Sequence, residues 1–103
     1  MKILSTIICF LLLSSNIFAK DLIVVTADWC NPCQRLKAFI KQNNETIKYD
    51  IDIVDIEQNP EIGKKLKVKL LPTSFIFDDN GKLLTKKEGF EQKSYWLWLK
   101  NNQ

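Results

Sequence analysis

Apolar and polar positions alternate along this chain with a period that changes several times, and each change predicts a new element. Residues 22–26 form a continuous apolar and β-branched run, which is typical of a central strand buried on both faces. Leu36, Phe39 and Ile40 recur at helical spacing, and an Asn pair follows them as a helix end. In residues 47–53 apolar positions alternate strictly with charged ones, which predicts a strand covered on one face at a sheet edge.

The second half of the chain predicts four further elements. Asn59-Pro60 starts a short helix, and residues 73–77 form a strand after a proline. The turn at 78–81, Asp-Asp-Asn-Gly, pairs that strand with residues 82–87 in an antiparallel hairpin. Residues 91–100 form the last helix. The predicted order is β-α-β-α-β-β-α, so the fold class is α/β and the elements form one domain.

The last predicted helix contains five consecutive large apolar or aromatic residues, which cannot all face the sheet. Tyr95, Trp98 and Leu99 have the spacing of core positions. We expect Trp96 towards solvent or at the flank of the helix, and packing against the uncovered sheet region explains it better than a partner or membrane contact.

Residues 1–19 differ from the rest of the chain. Lys2 provides a positive start, an apolar stretch follows, and Ala19 supplies a small residue at a cleavage point. The apolar stretch is shorter than the roughly 20 residues that span a bilayer. We therefore expect a signal peptide cleaved after Ala19 and a domain over residues 20–103, with an uncleaved membrane anchor as the alternative. The protein is then exported, and periplasmic if its source is Gram-negative.

The charge balance and the number of cysteines limit the classes of function that the chain could have. The chain carries 15 Lys and Arg against 12 Asp and Glu, which is too balanced to indicate a nucleic acid partner. The cluster of Lys64, Lys65, Lys67 and Lys69 is interpreted as a solvated face. Of the three cysteines, Cys9 lies in the expected signal peptide, so an exported domain retains only two.

Those two cysteines form the motif Trp29-Cys30-Asn31-Pro32-Cys33. At the start of a helix, residues three apart lie on one face, and the backbone there favours a thiolate. Disulfide exchange is therefore the leading hypothesis, with the Cys30–Cys33 disulfide as the redox group and no other cofactor. A static disulfide in a binding module is one alternative. A metal site is the other, although two thiols without a His fall short of the four ligands of structural zinc.

The chain resembles the thioredoxin family over residues 21–101. The motifs that carry the resemblance are residues 27–33, 57–60 and 71–73 (Leu-Pro-Thr), together with Gly89. Residues 27–33 and 71–73 are most similar to those of periplasmic members. The resemblance implies a minimal thioredoxin-like fold, with a mixed four-stranded sheet and helices on both faces. It also implies a protein disulfide oxidoreductase whose substrates are protein thiols and disulfides, acting as a monomer.

The resemblance assigns roles to six residues of the site. Cys30 would be the attacking thiolate, and Cys33 would resolve the mixed disulfide. Pro72 would follow a cis peptide bond beside the cysteines. The substrate-binding groove would be formed by Trp29, Leu71, Pro72 and Gly89.

Two positions depart from the family pattern. Many members carry a buried Asp six residues before the first cysteine, and here that position is Val24. The Lys that accompanies it corresponds to Ile53. Losing both charges together is coherent because a lone buried charge is costly. Deprotonation of Cys33 would then depend on water, on the field of the helix, or on a group of the partner.

The residues between the cysteines indicate the direction of electron flow. Strong oxidants of the family tend to hold a His there, whereas this chain has Asn31 and Pro32 and no His at all. Asp28 would also oppose a thiolate on Cys30. We therefore expect a reductant or electron carrier rather than an oxidase. In an oxidising compartment it would need a membrane-embedded reductase as its electron donor.

Overall fold

The computed structural model describes residues 20–103, and the signal peptide expected at 1–19 lies outside the described residues. The elements, in chain order, are β1 (Lys20–Thr26), α1 (Asn31–Gln42), β2 (Tyr49–Asp55), α2 (Pro60–Lys65), β3 (Thr73–Phe77), β4 (Leu83–Glu88) and α3 (Gln92–Asn101). This order agrees with the order that the sequence predicts, and the α/β fold class is confirmed. None of the helices within residues 20–103 combines the length and the apolar character of a membrane-spanning segment.

The four strands form one mixed sheet in the order β2-β1-β3-β4. β1 pairs with β2 in parallel and with β3 in antiparallel fashion, and β3 pairs with β4 through the hairpin. The turn is closed by Asp78, whose carboxylate accepts hydrogen bonds from the amides of Asn80 and Lys82, both at 2.9 Å. Gly81 has a φ of +81°, which the turn requires and glycine adopts readily. Within the described chain β2 lies at the edge of the sheet, as its charged face predicts.

One face of the sheet carries the larger hydrophobic cluster, which we call the main core. It joins alternate residues of the strands to α1 and α3, and its buried members are Leu22, Val24, Leu36, Phe39, Ile40, Ile47, Tyr49, Ile76, Tyr95 and Leu99. The Phe39 ring contacts several aromatic side chains, and the ring centroids of Tyr95 and Trp96 are both 5.9 Å away in edge-on geometry. Such aromatic pairs add to the free energy gained from burial alone.

Two buried tyrosines place polar atoms inside the main core, and both are hydrogen-bonded. The hydroxyl of Tyr95 lies 2.8 Å from that of Ser74, and the hydroxyl of Tyr49 donates to the carbonyl of Leu99 at 2.6 Å. Burial raises the pKa of both phenols above the ordinary value. In the described residues, no buried side-chain nitrogen or oxygen lacks a hydrogen-bond partner.

α2 contributes no residue to the main core and lies beside β2. Asp52 and Val54, which alternate with the inward-facing residues of β2, share a cavity with Pro60 and Ile62 of this helix. Gly63 lies so close to Ile56 that an added Cβ would come within 2.7 Å of its Cδ1 atom. The glycine therefore allows α2 to approach the chain that leaves β2.

The expected one-sided burial of residues 47–53 holds only for the first part of the strand. Tyr49 is buried and Ile51 half-buried, but Ile53 is 40% exposed. Ile53 is absent from the main core, which covers the beginning of β2 and not its end. In α3, Tyr95 and Leu99 are buried and Trp98 is half-buried. Trp96 packs beside Phe39 at the flank of the helix rather than facing solvent freely.

Candidate functional site

The two cysteines lie at the first turn of α1. Cys30 is the N-cap residue, with an extended backbone (φ −92°, ψ 111°), and Pro32 occupies the first turn, where its missing N–H costs nothing. The amide of Cys33 donates to Cys30 Sγ at 3.2 Å. The two cysteines form a disulfide across Cα atoms 5.2 Å apart. The helix start that the sequence predicts at this motif is thus present, with both sulfurs on one turn.

The two sulfurs differ in their surroundings. Cys30 is 5% exposed, whereas Cys33 is fully buried. Together with Ala27 they form a second, small hydrophobic cluster, against which Ile56 and Leu71 pack. We call these five residues the site cluster. Of the two cysteines, Cys30 is the one that retains exposed surface, which favours it over Cys33 as the point of approach for another sulfur.

The segment before β3 lies against the site cluster. The Leu71–Pro72 peptide bond is cis, and Pro72 is buried. The hydroxyl of Thr73 donates to the carbonyl of Leu70, which holds this bend together. The Gly89 amide donates to the carbonyl of Pro72 at 2.7 Å, and so β4 and the proline segment are joined next to the cysteines.

Gly89, which follows β4, has a backbone conformation that favours glycine. Its φ is +76°, a region that residues with a Cβ rarely adopt. A Cβ at this position would meet nothing within 4 Å, so space does not select the glycine. The positive φ therefore explains why glycine stands at position 89. The substrate contact predicted for Gly89 stays a prediction.

An open groove of about 450 Å³ runs beside Cys30. It is lined by Trp29, Cys30 and Leu71, which the sequence assigned to the site, and by Ile56, Val68, Lys69 and Leu70, which it did not. Trp29 is 68% exposed and therefore not a core residue. Val68, Lys69 and Leu70 lie before β3 in a segment without helix or strand, so no periodic pattern of the sequence identified them. Pro72 and Gly89 are not among the residues that line the groove.

Charge near the cysteines is modest. The exposed carboxylate of Asp28 lies 3.8 Å from the Lys37 ammonium, which offsets part of its repulsion of a thiolate on Cys30. The side-chain amide of Gln34 also donates to the Asp28 carbonyl at 3.1 Å, linking the loop to α1. Asn31 is exposed. Among residues 20–103, the Cys33 amide is the one donor to Cys30 Sγ.

The two departures from the family pattern are visible in the sheet. Val24 is fully buried, and its strand neighbours in register are Ile53 on β2 and Ser74 on β3. An aliphatic side chain thus occupies the position at which the family resemblance predicts a carboxylate, with Ile53 and Ser74 beside it. In the described part of the chain, no group of three or more His, Cys, Asp or Glu residues is arranged to hold a metal ion.

Comparison with known proteins agrees with this geometry. The thioredoxin family model matches residues 14–99. A thioredoxin of Rickettsia bellii is 32% identical over 79 residues, which cover 74% of each chain. Thioredoxin Y1 of Arabidopsis thaliana chloroplasts is 40% identical over 55 residues, covering 52% of this chain and 32% of that protein.

A solved structure shows the same architecture. The oxidised form of mitochondrial thioredoxin 3 from Saccharomyces cerevisiae superposes with a TM-score of 0.70 at 25% identity, over 80% of this chain and 77% of the other. The chain belongs to the thioredoxin family. It is a thiol–disulfide oxidoreductase with a Cys30–Cys33 disulfide, and proteins of this family act on protein thiols and disulfides.

Proposed function

We propose that this protein is an exported reductant that transfers two electrons from Cys30 and Cys33 to disulfides of other proteins. The observation that carries the proposal is the asymmetry of the pair: Cys30 borders an open groove at a helix N-terminus, and Cys33 is enclosed behind it. A nucleophile must reach its substrate, whereas a resolving thiol needs to reach only the first sulfur. The geometry supports this division of roles.

The reaction proceeds in two exchanges. The Cys30 thiolate attacks one sulfur of a substrate disulfide, which forms a mixed disulfide and expels the other substrate sulfur as a thiolate. Cys33, as a thiolate, then attacks Cys30 Sγ, which forms the Cys30–Cys33 disulfide and releases the second substrate thiolate. Two protons complete the two substrate thiols. The substrate is reduced by two electrons, and a dithiol donor must reduce the protein again.

The first exchange is helped by the start of α1. The Cys33 amide points at Cys30 Sγ from 3.2 Å. An N–H donor and the positive end of the helix dipole both stabilise negative charge on that sulfur. Trp29 and Leu71 would hold an extended substrate segment in the groove, with Pro72 and Gly89 fixing the nearby backbone. Asn31 and Pro32 would set the helix start.

The second exchange lacks the usual proton acceptor. With Val24 and Ile53 at the two positions of the charged pair, the Cys33 proton would pass to water or to the departing substrate thiolate. A thiolate expelled beside Cys33 is a competent base since thiol pKa values are near 8.5. We expect resolution to depend more strongly on solution pH than in members that hold a buried carboxylate.

The direction of electron flow follows from the weak stabilisation of the thiolate. In the described residues Cys30 Sγ accepts one hydrogen bond, and no His stands between the cysteines. A less stabilised thiolate makes the disulfide the more favoured state, which makes the dithiol a better reductant. A membrane-embedded reductase would supply electrons to such a protein outside the cytoplasm.

The alternatives make different demands on the cysteines. A binding module with a static disulfide would not need the groove to open beside Cys30. A metal-binding protein would need ligands beyond the two sulfurs. Exchange therefore accounts for more of the observed geometry than either.

Two measurements test the proposal. Equilibration of the purified domain in glutathione buffers is expected to give a potential between about −200 and −270 mV, the range of glutaredoxins and thioredoxin. A value near −120 mV, like that of a strong oxidant, would contradict the assigned direction of electron flow.

Mass spectrometry of the protein from exported and cytoplasmic fractions tests whether the protein is exported, because cleavage of the signal peptide leaves Lys20 as the first residue. Full-length protein confined to the cytoplasm would refute export.

A further inference from the structure

The groove beside Cys30 continues into a second cavity. That cavity has a volume of about 500 Å³ and shares Ile56, Val68 and Lys69 with the groove. Its apolar floor is completed by Gly63 and Pro60 of α2. The two together form one trough, which leads from Cys30 past apolar residues to the end of α2.

Lysines border the far part of the trough. Lys64, Lys67 and Lys69 line the second cavity, and Lys69 also lines the groove beside Cys30. All three are exposed. Residues 20–103 contain two ion pairs, Lys37–Asp28 and Lys86–Glu88, and neither involves these three lysines. None of the residues that line the two parts of the trough is acidic.

The end of α2 fixes where these lysines lie. The Val68 amide donates to the Gly63 carbonyl at 2.8 Å, and the Lys67 amide to the Lys64 carbonyl at 3.2 Å. This pair of bonds is the Schellman motif, whose turning residue has a positive φ. Lys67 fills that position with a φ of 55°, where glycine is more usual. The turn redirects the chain so that Val68 and Lys69 border the trough.

The other side of α2 has a different charge. The cavity between α2 and β2 is lined by Asp52 and Glu61 together with Lys65. Asp52 and Glu61 thus line this neighbouring cavity and not the trough, whereas Lys64, Lys67 and Lys69 line the trough. The charged side chains that line the trough are all lysines, so a substrate segment lying in it contacts positive charge there.

We infer that the trough selects substrates whose target disulfide is flanked by an apolar residue and then by acidic residues in an extended segment. This inference rests on the proposed function and specifies its substrate class. The sulfur would meet Cys30, the apolar side chain would lie against Ile56 and Val68, and carboxylates would pair with Lys64, Lys67 and Lys69. Charges placed this way raise the rate of association, and salt weakens their effect.

The test compares two peptide disulfides of equal length and identical apolar residue, one with Glu and one with Lys at the flanking positions. We expect the reduced protein to react with the acidic peptide about tenfold faster at low salt, and this ratio to fall towards one at 1 M NaCl. The triple variant Lys64→Glu/Lys67→Glu/Lys69→Glu should reverse the preference. A ratio between peptides cancels any change in the intrinsic reactivity of Cys30.

The matched control is Lys65→Glu/Lys82→Glu/Lys93→Glu. It makes the same change in net charge on residues that line neither part of the trough. The control should keep most of the preference for the acidic peptide. Equal rates for the two peptides with the unmodified protein, or a reversal by the control as complete as that by the triple variant, would overturn the inference. Hydroxyethyl disulfide, which is small and uncharged, reports on exchange itself. If the protein fails to react with it, the proposed function fails rather than the substrate preference.

Discussion

The main core and the site cluster are connected by one helix. They differ in the number of buried residues and in the exposure of the side chains around them. The C-terminal part of α1 places Leu36, Phe39 and Ile40 in a buried cluster of ten residues. Its first turn places Cys30 and Cys33 in a cluster with a single further buried residue, Ala27. Around that smaller cluster, Trp29 and Leu70 leave 68% and 49% of their surfaces exposed. Stability and chemistry are therefore separated along a single helix.

The difference follows from what each end of α1 must do. Burying apolar side chains stabilises the fold in proportion to the area removed from water. A reactive thiol needs the reverse, namely an open approach and apolar neighbours that a substrate can cover. The exposed apolar residues near Cys30 contribute little to folding, and the main core compensates for them. Substitutions in the two regions should accordingly separate effects on activity from effects on stability.

The largest effect is expected for Cys30→Ser. Reduction of a protein disulfide, with dithiothreitol as the electron donor, should fall to the background rate because the oxygen nucleophile cannot form a disulfide. Serine is a favoured N-cap residue, so α1 should keep its start. Under reducing conditions the urea midpoint should stay close to that of the unmodified protein. Substantial remaining activity would assign the attack to another group.

The next largest effect contrasts the two regions directly. Phe39→Ala should lower the free energy of unfolding by about 3–5 kcal/mol, because it leaves a cavity among Phe90, Tyr95 and Trp96. Trp29→Ala should change stability by less than about 0.5 kcal/mol, because its ring is mostly exposed. Urea denaturation of both variants provides the measurement. Similar losses for the two would show that the regions are not separate.

A smaller effect tests the polar pair inside the main core. Ser74→Ala and Tyr95→Phe each leave one buried hydroxyl without its partner, at a cost of about 1–3 kcal/mol. The double variant removes both hydroxyls and should cost less than the sum of the single variants. Exchange activity should persist in all three wherever they are folded. Simple additivity would mean that the two hydroxyls do not interact.

The smallest effect concerns Glu91, the N-cap of α3. Hydrogen bonds from the amides of Lys93 and Ser94 lower the pKa of this carboxyl below its ordinary value. A lowered pKa in the folded state stabilises the protein above the ordinary carboxyl pKa, and this contribution is lost as the pH falls through the folded-state value. The stability difference between the unmodified protein and Glu91→Gln should therefore shrink between pH 7 and pH 3. A difference independent of pH would show that the carboxylate charge does not cap the helix.

The sequence predicted the main core better than the surroundings of Cys30. Helical and alternating periods identify Leu36, Phe39 and Tyr49 as inward-facing, since long elements repeat their pattern. Residues 66–72 form no helix or strand, and so no period marks Val68 or Leu70 as groove residues. The turning position at the end of α2 is Lys67, whereas a glycine usually marks a helix end of this kind in the sequence.

The exposed Ile53 shows a second reason why the structure differs from the sequence-based prediction. Alternation states which face of a strand a residue occupies, but burial depends on what covers that part of the face. The main core includes Tyr49 and not Ile53. Which part of the strand face is covered depends on the tertiary packing, and the local sequence pattern does not show it. The motif around Cys30 was predictable because its chemistry is local to one helical turn.

Trapping of the reaction intermediate tests the central claim most directly. Reduced Cys33→Ser protein, mixed with a disulfide-linked peptide, should accumulate a one-to-one mixed disulfide on Cys30, seen by mass spectrometry and released by dithiothreitol. The Cys30→Ser protein should form far less adduct because Cys33 is fully buried. No adduct on Cys30, or equal adduct formation by the two variants, would contradict the assignment of Cys30 as the attacking thiolate and Cys33 as the enclosed resolving thiol.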